Sequence, residues 1–465
     1  MAEAVSRRER WEQLQAEQAA IDAELQRLTA RRQDIAHEMS LLAPVNTLPT
    51  EILGEVFMTL ACYTTYGNID YIVCILCHVC TKWRTITMSM PMLWNSIDLA
   101  YIEDIADPFL SLQLQLSGSL PLHLKTEYGE PSNLQLLNDL PDTITSRVES
   151  IRIEGDGGLL STLRTSEFPS LVAADITILN QKSLDSLSYL ARAPALRELD
   201  VTVSYPCTDA DIANGTAFPI TTHLGFDCLT QLTLCISNEF PICVFLPALS
   251  HLARTLQELN VLADWTDWEE TVPAVACNMP VLHTVTTDHC AHRLLMLVTA
   301  PVLATLDISN YRHRYEDPAV SLLSLLCRSQ PPIRSFRLYD PMDLDIAGTD
   351  KILQCLKRMD ECRHLVLHDA NWDPDEAGRL VELLDGLTCV EGTPPLLPEL
   401  NSFSVEFGRG WGRRPEVLSG VIPSLSRTRQ SRENVRVCAG WMVAALKDFH
   451  TNLPVPAASG VVGQG

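Results

Sequence analysis

Apolar residues recur at every seventh position near the start of the chain. One seam of this heptad pattern contains Leu14, Ile21, Leu28, Ile35 and Leu42. The companion seam contains Trp11, Gln18, Leu25, Arg32 and Met39. This period predicts one long helix over residues 8–42, with a single apolar stripe along its length.

The apolar stripe of this helix needs a partner. The partner is either a second copy of the chain, which would give self-association through residues 8–42, or the domain that follows. Polar Gln18 and Arg32 weaken a two-stranded seam but do not forbid it. The alternative interpretation is a solvated, charged helix.

The pattern changes after Pro44, which ends the first helix. Pro49 stands where the first turn of a new helix tolerates proline, and an apolar stripe follows it. A second helix is predicted from about Asp70 through Ile86, because apolar residues recur there at helical spacing. Pro91 then turns the chain into a short segment that carries Leu93 and Trp94. Residues 44–99 therefore predict a compact module of three short helices.

Beyond about residue 120, short apolar phrases alternate with helical stretches. The phrases follow the pattern Leu-x-x-Leu-x-Leu and begin at 148, 196, 229, 256, 282, 303, 333, 362 and 400, with a degenerate copy at 171. Helical candidates between them include 183–193, 318–329, 350–362 and 375–387. This repetition predicts a leucine-rich-repeat solenoid, whereas a doubly wound sheet rarely keeps one strand phrase.

The repeats are irregular, and the asparagine usual after such a strand is replaced at positions such as Ser204, Asp264 and Tyr311. We therefore predict an α/β chain with uneven repeats. Residues 1–43 form a long helix or coiled coil, 44–99 the helical module and 100–408 the irregular solenoid. Residues 409–465 form an Arg- and Gly-rich segment with a weak cap and a disordered tail.

Charge narrows the range of partners. The chain has 35 Lys and Arg against 58 Asp and Glu, a net charge of −23. Such a chain repels phosphate backbones and anionic lipid, so we expect no nucleic-acid or membrane partner. No signal peptide and no apolar run long enough to cross a bilayer is present, which predicts a cytoplasmic or nuclear protein. The 15 cysteines are scattered among apolar residues and are interpreted as reduced core residues.

Several short motifs imitate cofactor or catalytic sites. Cys74, Cys77 and His78 have the spacing of a haem attachment site, with Cys80 close by as a candidate metal ligand. Neither a second axial ligand nor a second Cys-x-x-Cys pair accompanies them. The simpler interpretation is the interior and flank of a helix.

A calcium-loop pattern at 369–376 has Pro374 at the position that needs glycine and Leu380 at the position of the bidentate glutamate. The Cys and His residues of the stretch 288–292 are interpreted as a loop at the end of a repeat strand rather than a nucleophile pair. Phosphate-loop, nucleophile-elbow and zinc-protease motifs are absent. We expect no cofactor and no enzymatic activity. The arginines of 409–432 are interpreted as a solvated loop, with a partner patch as the alternative.

Three phrases share one resemblance. "LPTEIL" at 48–53, "HVCTKWRTI" at 78–86 and "PMLWNSIDL" at 91–99 resemble an F-box, in the version that fungal F-box proteins combine with a leading coiled coil and trailing leucine-rich repeats. The resemblance implies that the module docks on a Skp-type adaptor, which tethers it to a cullin ubiquitin ligase. The residues implied in that interface are Leu48, Pro49, Ile52, Val79, Cys80, Trp83 and Trp94.

The sequence departs from that pattern at two places. A long insert, 61–74, separates the first two helices, and Thr81 and Lys82 stand where a basic pair is usual. The resemblance implies a substrate receptor whose repeats hold a protein substrate. The alternative is a non-enzymatic repeat scaffold without ubiquitin transfer. The identity of the substrate, a need for phosphorylation and the binding surface of the repeats stay open.

Overall fold

The computed structural model describes residues 2–63, 69–102, 104–126, 131–155, 168–179, 190, 193–203, 226–236, 246–263, 276–309, 318–339, 346–369, 377–388, 394–407, 435–438 and 441–451. The chain divides into two compact units, Met1–Trp94 and Asn95–Gly465. We call them the helical unit and the sheet unit.

The helical unit begins with the long helix that the heptad pattern predicts, α1 (Ala2–Leu42). A 3-10 turn (Pro44–Thr47) follows it. The remaining helices are α2 (Thr50–Tyr63), α3 (Ile69–Val79) and α4 (Thr81–Met88), with a second 3-10 turn at Pro91–Leu93. The apolar seam of α1 is exposed, so its self-association stays a prediction.

The prediction of one continuous helix from Asp70 to Ile86 is wrong, because the helix is interrupted at Cys80. That residue is extended, with φ −162° and ψ 169°, and it begins α4. The side chain of Arg84 stabilises the break by donating from Nε to the carbonyl of Cys77, at 2.8 Å, near the end of α3. No glycine or proline marks this position, so the apolar spacing alone indicates a continuous helix.

The core of the helical unit is small. Leu53, Phe57 and Ala61 bury one face of α2, while Val73 and Leu76 do so on α3. The α2 helix contacts both α3 and α4. Further buried side chains are Ile86, Leu93 and Trp94. Burial of these side chains is what holds the short helices together, because helices this short are marginal alone.

The sheet unit contains one sheet of thirteen strands within the described residues, each strand parallel to its neighbours. In order across the sheet the strands are β1 (Ser96–Asp98), β2 (Leu122–Thr126), β3 (Val148–Gly155), β4 (Ala173–Ile178), β5 (Glu198–Val203), β6 (Gln231–Ile236), β7 (Glu258–Ala263), β9 (Thr284–His289), β11 (Thr305–Ile308), β12 (Ser335–Tyr339), β13 (His364–Asp369), β14 (Ser402–Phe407) and β17 (Asp448–Thr451).

Every predicted strand phrase, including the degenerate copy at 171, contributes a strand to this sheet. A mixed helix and sheet fold with a large parallel, solenoid-like sheet is therefore confirmed. Two short pairs lie outside it: β8 (Cys277–Asn278) with β10 (Val298–Thr299), and β15 (Val435–Cys438) with β16 (Trp441–Ala444).

Helices accompany the strands of the sheet unit. They are α5 (Pro108–Leu116), α6 (Pro131–Asp139), α7 (Asp142–Thr145), α8 (Leu246–Leu252), α9 (Pro318–Ser329), α10 (Ile346–Leu356) and α11 (Ala377–Leu387). Their apolar side chains share one core with the alternate strand residues, such as Leu199, Val201 and Val203 of β5. The other strand face, with Asp200 and Thr202, is only partly covered.

The backbone repeats more regularly than the sequence does. The carbonyl of Val172 accepts hydrogen bonds from the amides of Arg197 and Glu198, at 2.8 and 3.0 Å. The carbonyl of Arg197 then accepts from Thr230 and Gln231, and the same pairing recurs at successive strands up to β17. Each strand is therefore fixed to the next at its start, even where the asparagine of the repeat is missing.

Three strands of the large sheet were not predicted from the sequence: β1, β2 and β17. Strand β1 falls within the phrase at 91–99 and pairs with β2, so the sheet starts earlier than residue 100. Strand β17 lies in the segment predicted as a weak cap and tail. The arginine-rich residues 409–432, the tail from 452, the calcium-like positions 370–376 and the positions of Ser204, Asp264 and Tyr311 lie outside the described residues, as does almost all of the candidate helix at 183–193.

Candidate functional site

Two apolar stripes lie exposed on the helical unit. Ile52, Val56 and Leu60 follow each other at intervals of four on α2, where Ile52 is 48% exposed. Tyr71, Ile75 and Val79 do the same on α3, where Val79 is 52% exposed. Residues four apart lie on one face of a helix, so each set forms a continuous stripe. We call them the α2 stripe and the α3 stripe.

Each stripe lies beside a face that is already buried. On α2 the exposed Ile52 and Val56 directly precede the buried Leu53 and Phe57. The apolar surface of the helix is thus wider than its own unit covers. Contiguous exposed apolar surface of this kind marks interaction sites in soluble proteins.

The chain enters α2 through Leu48 and Pro49. Leu48 is extended, with φ −64° and ψ 141°, as expected for the residue before a proline. The carbonyl of Pro49 accepts from the amide of Leu53 at 3.1 Å, in the first turn of the helix. Lys82 Nζ donates to the carbonyl of Leu48 at 3.0 Å, so the start of α2 is tied to the start of α4. Leu48 is half-buried and Pro49 is exposed.

Trp83 packs against the α2 core. Its ring lies 4.9 Å from the ring of Phe57, centroid to centroid, with a tilt of 55°. The indole Nε1–H is buried, and no hydrogen-bond acceptor among the described residues reaches it. Cys80 beside it is half-buried at the break between α3 and α4. These two residues support the stripes rather than extend them.

Trp94 lies inside the unit. It is 3% exposed, and its Nε1–H donates to the carbonyl of Thr87 at 2.8 Å. Any role in binding is therefore structural: Trp94 fixes the end of α4 against the 3-10 turn. Of the seven residues that the resemblance singles out, Pro49, Ile52 and Val79 are exposed, Leu48, Cys80 and Trp83 are half-buried, and Trp94 is buried.

Charges of both signs surround the stripes. Glu51 and Glu55 are exposed on α2, and Lys82 and Arg84 are exposed on α4. Lys82 Nζ and Arg84 Nε both donate to backbone carbonyls, which holds these cations close to the helix break. The site therefore combines exposed apolar side chains with exposed charges of both signs, as protein interfaces do.

Four stripe residues were not among those implied by the resemblance: Val56, Leu60, Tyr71 and Ile75. Their signal was present, because a stripe spaced by four runs beside a second one on each helix. Which of two neighbouring apolar stripes turns inward depends on tertiary packing, and the spacing does not contain that information.

The cysteine-rich stretch is part of α3 and its end. Cys74 and Cys77 are half-buried, and the exposed His78 donates from Nδ1 to the carbonyl of Cys74 at 2.7 Å. Burial, with the nearby Cys74, raises the pKa of the Cys77 thiol. Within the described ranges, no cluster of three or more His, Cys, Asp or Glu side chains is placed to hold a metal ion.

The stretch 288–292 forms the end of β9 and the start of a 3-10 helix (Cys290–Met296), where a loop was expected. His289 has a positive φ of 53°, and the Asp288 carboxylate accepts from its amide at 2.8 Å. His292 Nδ1 lies 3.1 Å from the hydroxyl of Ser321 on α9, and Cys290 is fully buried. These side chains join the 3-10 helix to the core of the sheet unit.

A bilayer crossing requires a long apolar helix, and none of the helices in the described part of the chain has both the length and the apolarity.

Comparison with solved structures gives matches to this chain. No protein-family profile and no curated protein sequence matches the chain. One solved structure, the crystal structure of the Rad7 and Elc1 complex in yeast, contains a chain that aligns with 83% of this chain and 96% of its own length. The identity is 13% and the TM-score is 0.30, a similarity that carries no argument about fold or function.

Proposed function

We propose that this chain is the substrate-recognition subunit of a cullin-type ubiquitin ligase. Its helical unit would dock, as an F-box, on a Skp-type adaptor, and its repeats would hold a protein substrate. The observation that carries this proposal is the pair of exposed stripes on α2 and α3, next to the fixed entry at Leu48 and Pro49.

The helical unit has a small core for the amount of apolar surface that it carries. The three short helices bury few apolar side chains of their own, yet they leave two apolar stripes in contact with water. Covering apolar surface contributes about 25 cal/mol per Å², so a partner that fills both stripes gains affinity and stabilises the unit. The F-box resemblance of 48–53, 78–86 and 91–99 names the adaptor as that partner.

The role proposed for the chain needs no reacting residue. A receptor of this kind raises the effective concentration of a substrate lysine near a ubiquitin-charged enzyme bound elsewhere in the complex. The sheet unit offers a long, partly exposed polar strand face on which a protein substrate could be held. The alternative, a repeat scaffold without ubiquitin transfer, uses the same surfaces.

Capture of a purified Skp-type adaptor by the full chain tests the docking step. Ile52→Glu combined with Val79→Glu places a charge in each stripe and should weaken capture at least about 10-fold, since charges on a desolvated interface are costly. The matched control is Leu179→Glu combined with Val320→Glu. These are exposed apolar side chains of the sheet unit and receive the same charges.

Adaptor binding by the wild type and the control, with loss in the stripe variant, supports the proposal. Absence of binding by the wild type, or equal binding by the stripe variant, contradicts it. Adding cullin and the ubiquitin-transfer enzymes to the captured complex separates the two functions, because the scaffold alternative predicts no ubiquitin on the chain or its bound proteins.

A further inference from the structure

The long helix α1 exposes a second, separate apolar surface. Its apolar heptad side chains are all in contact with solvent, from Ile35 at 43% to Leu42 at 81% exposure, with Trp11 at 63%. The other members are Leu14, Ile21, Leu25, Leu28 and Met39. Because the repeat is seven residues, these side chains form one left-handed stripe over most of the helix.

The area of this stripe matches a stable interface. If most of the exposed surface of these eight side chains were covered, about 800 Å² would be removed from water on each helix, the scale of one side of a standard protein interface. The repeat of seven also specifies the shape of the occupant, since a heptad stripe is covered best by another helix with the same repeat. A second copy of α1 provides one.

Charge decides how two copies would be arranged. Between Trp11 and Gln26 the helix carries Glu12, Glu17, Asp22 and Glu24 and neither Lys nor Arg. Between Arg27 and Leu41 the basic side chains are Arg27, Arg31 and Arg32, against Asp34 and Glu38. A parallel pair would set acidic half against acidic half and Arg32 against Arg32. An antiparallel pair sets the acidic half of each helix against the basic half of the other.

We propose that two copies of this chain associate through α1 as an antiparallel coiled coil centred between Gln26 and Arg27. In this register the two seams interlock, with Trp11 opposite Leu42 of the second copy and Leu25 opposite Leu28. The two polar residues of the seam also face apolar partners in this register. Gln18 meets Ile35 and Arg32 meets Ile21, so neither polar side chain faces its own copy.

The arrangement separates the points at which the two chains leave the coil. Each helix continues at Leu42 into the Pro44 turn and α2, and the two Leu42 ends lie at opposite ends of the coil, about 45 Å apart. The helical modules of the pair are thus held away from each other. The pairing does not depend on what the stripes bind.

Light scattering or sedimentation of the full chain at about 10 µM tests the pairing. The wild type should be a dimer, and Leu25→Asp combined with Leu28→Asp should raise its dissociation constant at least about 100-fold. Ala23→Asp combined with Ala30→Asp is the matched control. It adds the same charges on the opposite face of the same turns, at no smaller cost in helix propensity. A monomeric wild type, or a dimer that survives in the Leu25 and Leu28 variant, overturns the proposal.

Charge reversal tests the orientation. Arg31→Glu combined with Arg32→Glu places acid against Glu17 and Glu24 of the second copy in an antiparallel pair and should weaken the dimer about 10-fold or more. Adding Glu17→Arg and Glu24→Arg to it should restore the wild-type affinity. In a parallel pair position 32 faces its own copy, so like charges meet there in the wild type and after Arg32→Glu. Equal affinity of the first variant and the wild type, or failure of the second to restore affinity, overturns the antiparallel arrangement.

Discussion

The helical unit and the sheet unit treat apolar surface in opposite ways. Among the described residues, all but two of the exposed large apolar side chains lie in the helical unit, and the two exceptions are Leu179 and Val320. The sheet unit turns its apolar side chains into one continuous core. The comparison shows where this chain covers itself and where it leaves surface for another polypeptide.

The difference follows from repetition. In the sheet unit each strand pairs with the next, and from β11 to β14 the helices α9, α10 and α11 add their apolar side chains to the same core, so one repeat completes the burial of its neighbour. In the helical unit, α2 and α3 each carry two apolar stripes, and the few short helices cover only one stripe of each. The sheet unit therefore covers almost all of its own large apolar side chains, whereas the helical unit leaves many of its own exposed.

The largest effect should come from opening the core of the sheet unit. Phe336 on β12 is fully buried in the continuous core. Phe336→Ala should lower the free energy of unfolding by about 3 to 5 kcal/mol, because a large cavity is left in a packed interior. Urea unfolding of the full chain followed by circular dichroism measures the change.

Val320→Ala supplies the contrast for that experiment. Val320 lies on α9 and is 41% exposed, so its truncation should change stability by less than about 0.5 kcal/mol. A comparable loss in both variants would mean that the exposed and buried positions of the sheet unit do not differ as the structure has them.

An intermediate effect separates the two tryptophans of the helical unit. Trp94→Phe removes the hydrogen bond to the carbonyl of Thr87, whereas Trp83→Phe removes a buried N–H with no acceptor among the described residues. Both changes delete the same volume. Trp94→Phe should therefore destabilise the unit by about 1 kcal/mol or more relative to Trp83→Phe.

Amide hydrogen exchange of Thr81–Met88 measures this difference, because α4 carries one tryptophan and contacts the other. Exchange should be faster in the Trp94 variant than in the Trp83 variant. The reverse order would show that the indole N–H of Trp83, and not that of Trp94, holds the helix in place.

The sheet was predictable from sequence for a physical reason. A strand that packs against its neighbours must repeat the same alternation, and the phrase Leu-x-x-Leu-x-Leu records it at every repeat. The sequence also carries a second signal. The lead-in turns "FPSL" at 168, "APAL" at 193, "MPVL" at 279, "APVL" at 300 and "LPEL" at 397 recur in the sequence. In each, the first residue accepts from the amide of the buried residue that opens the strand phrase, as Phe168 does from Leu171 at 3.2 Å.

The helical unit was less predictable. Its break at Cys80 depends on a long side chain, Arg84, that reaches back to the carbonyl of Cys77, and no local pattern encodes such a contact. The burial of Trp94 depends in the same way on its bond to Thr87. The sequence could indicate which residues belong to the candidate site, but the choice between exposed and buried stripes needed the tertiary structure.

The smallest effect concerns the polar strand face of the sheet unit, where Asp200 on β5 is paired in register with Asp175 on β4. The pKa of Asp200 is raised to about 6, mainly by burial and secondly by the Asp175 carboxylate, while Arg152 acts in the opposite direction. The native state therefore binds this proton more tightly than the unfolded chain, whose aspartates titrate near about 4. The stabilisation this gives is complete below that pH and is lost as the pH rises through about 6.

The amide of Asp200→Asn does not ionise, so the variant keeps this stabilisation at every pH. It should be more stable than the wild type at neutral pH by about 1 kcal/mol. This value is smaller than the free energy that corresponds to the whole pKa shift, because the wild-type carboxylate keeps some contact with water. The advantage should shrink at acidic pH, where the wild-type carboxyl is protonated. Urea midpoints at the two pH values measure it, with Thr202→Ala as an uncharged change on the same strand face. An advantage of Asp200→Asn that is the same at both pH values would contradict the titration and place the cost of this face in packing instead of charge.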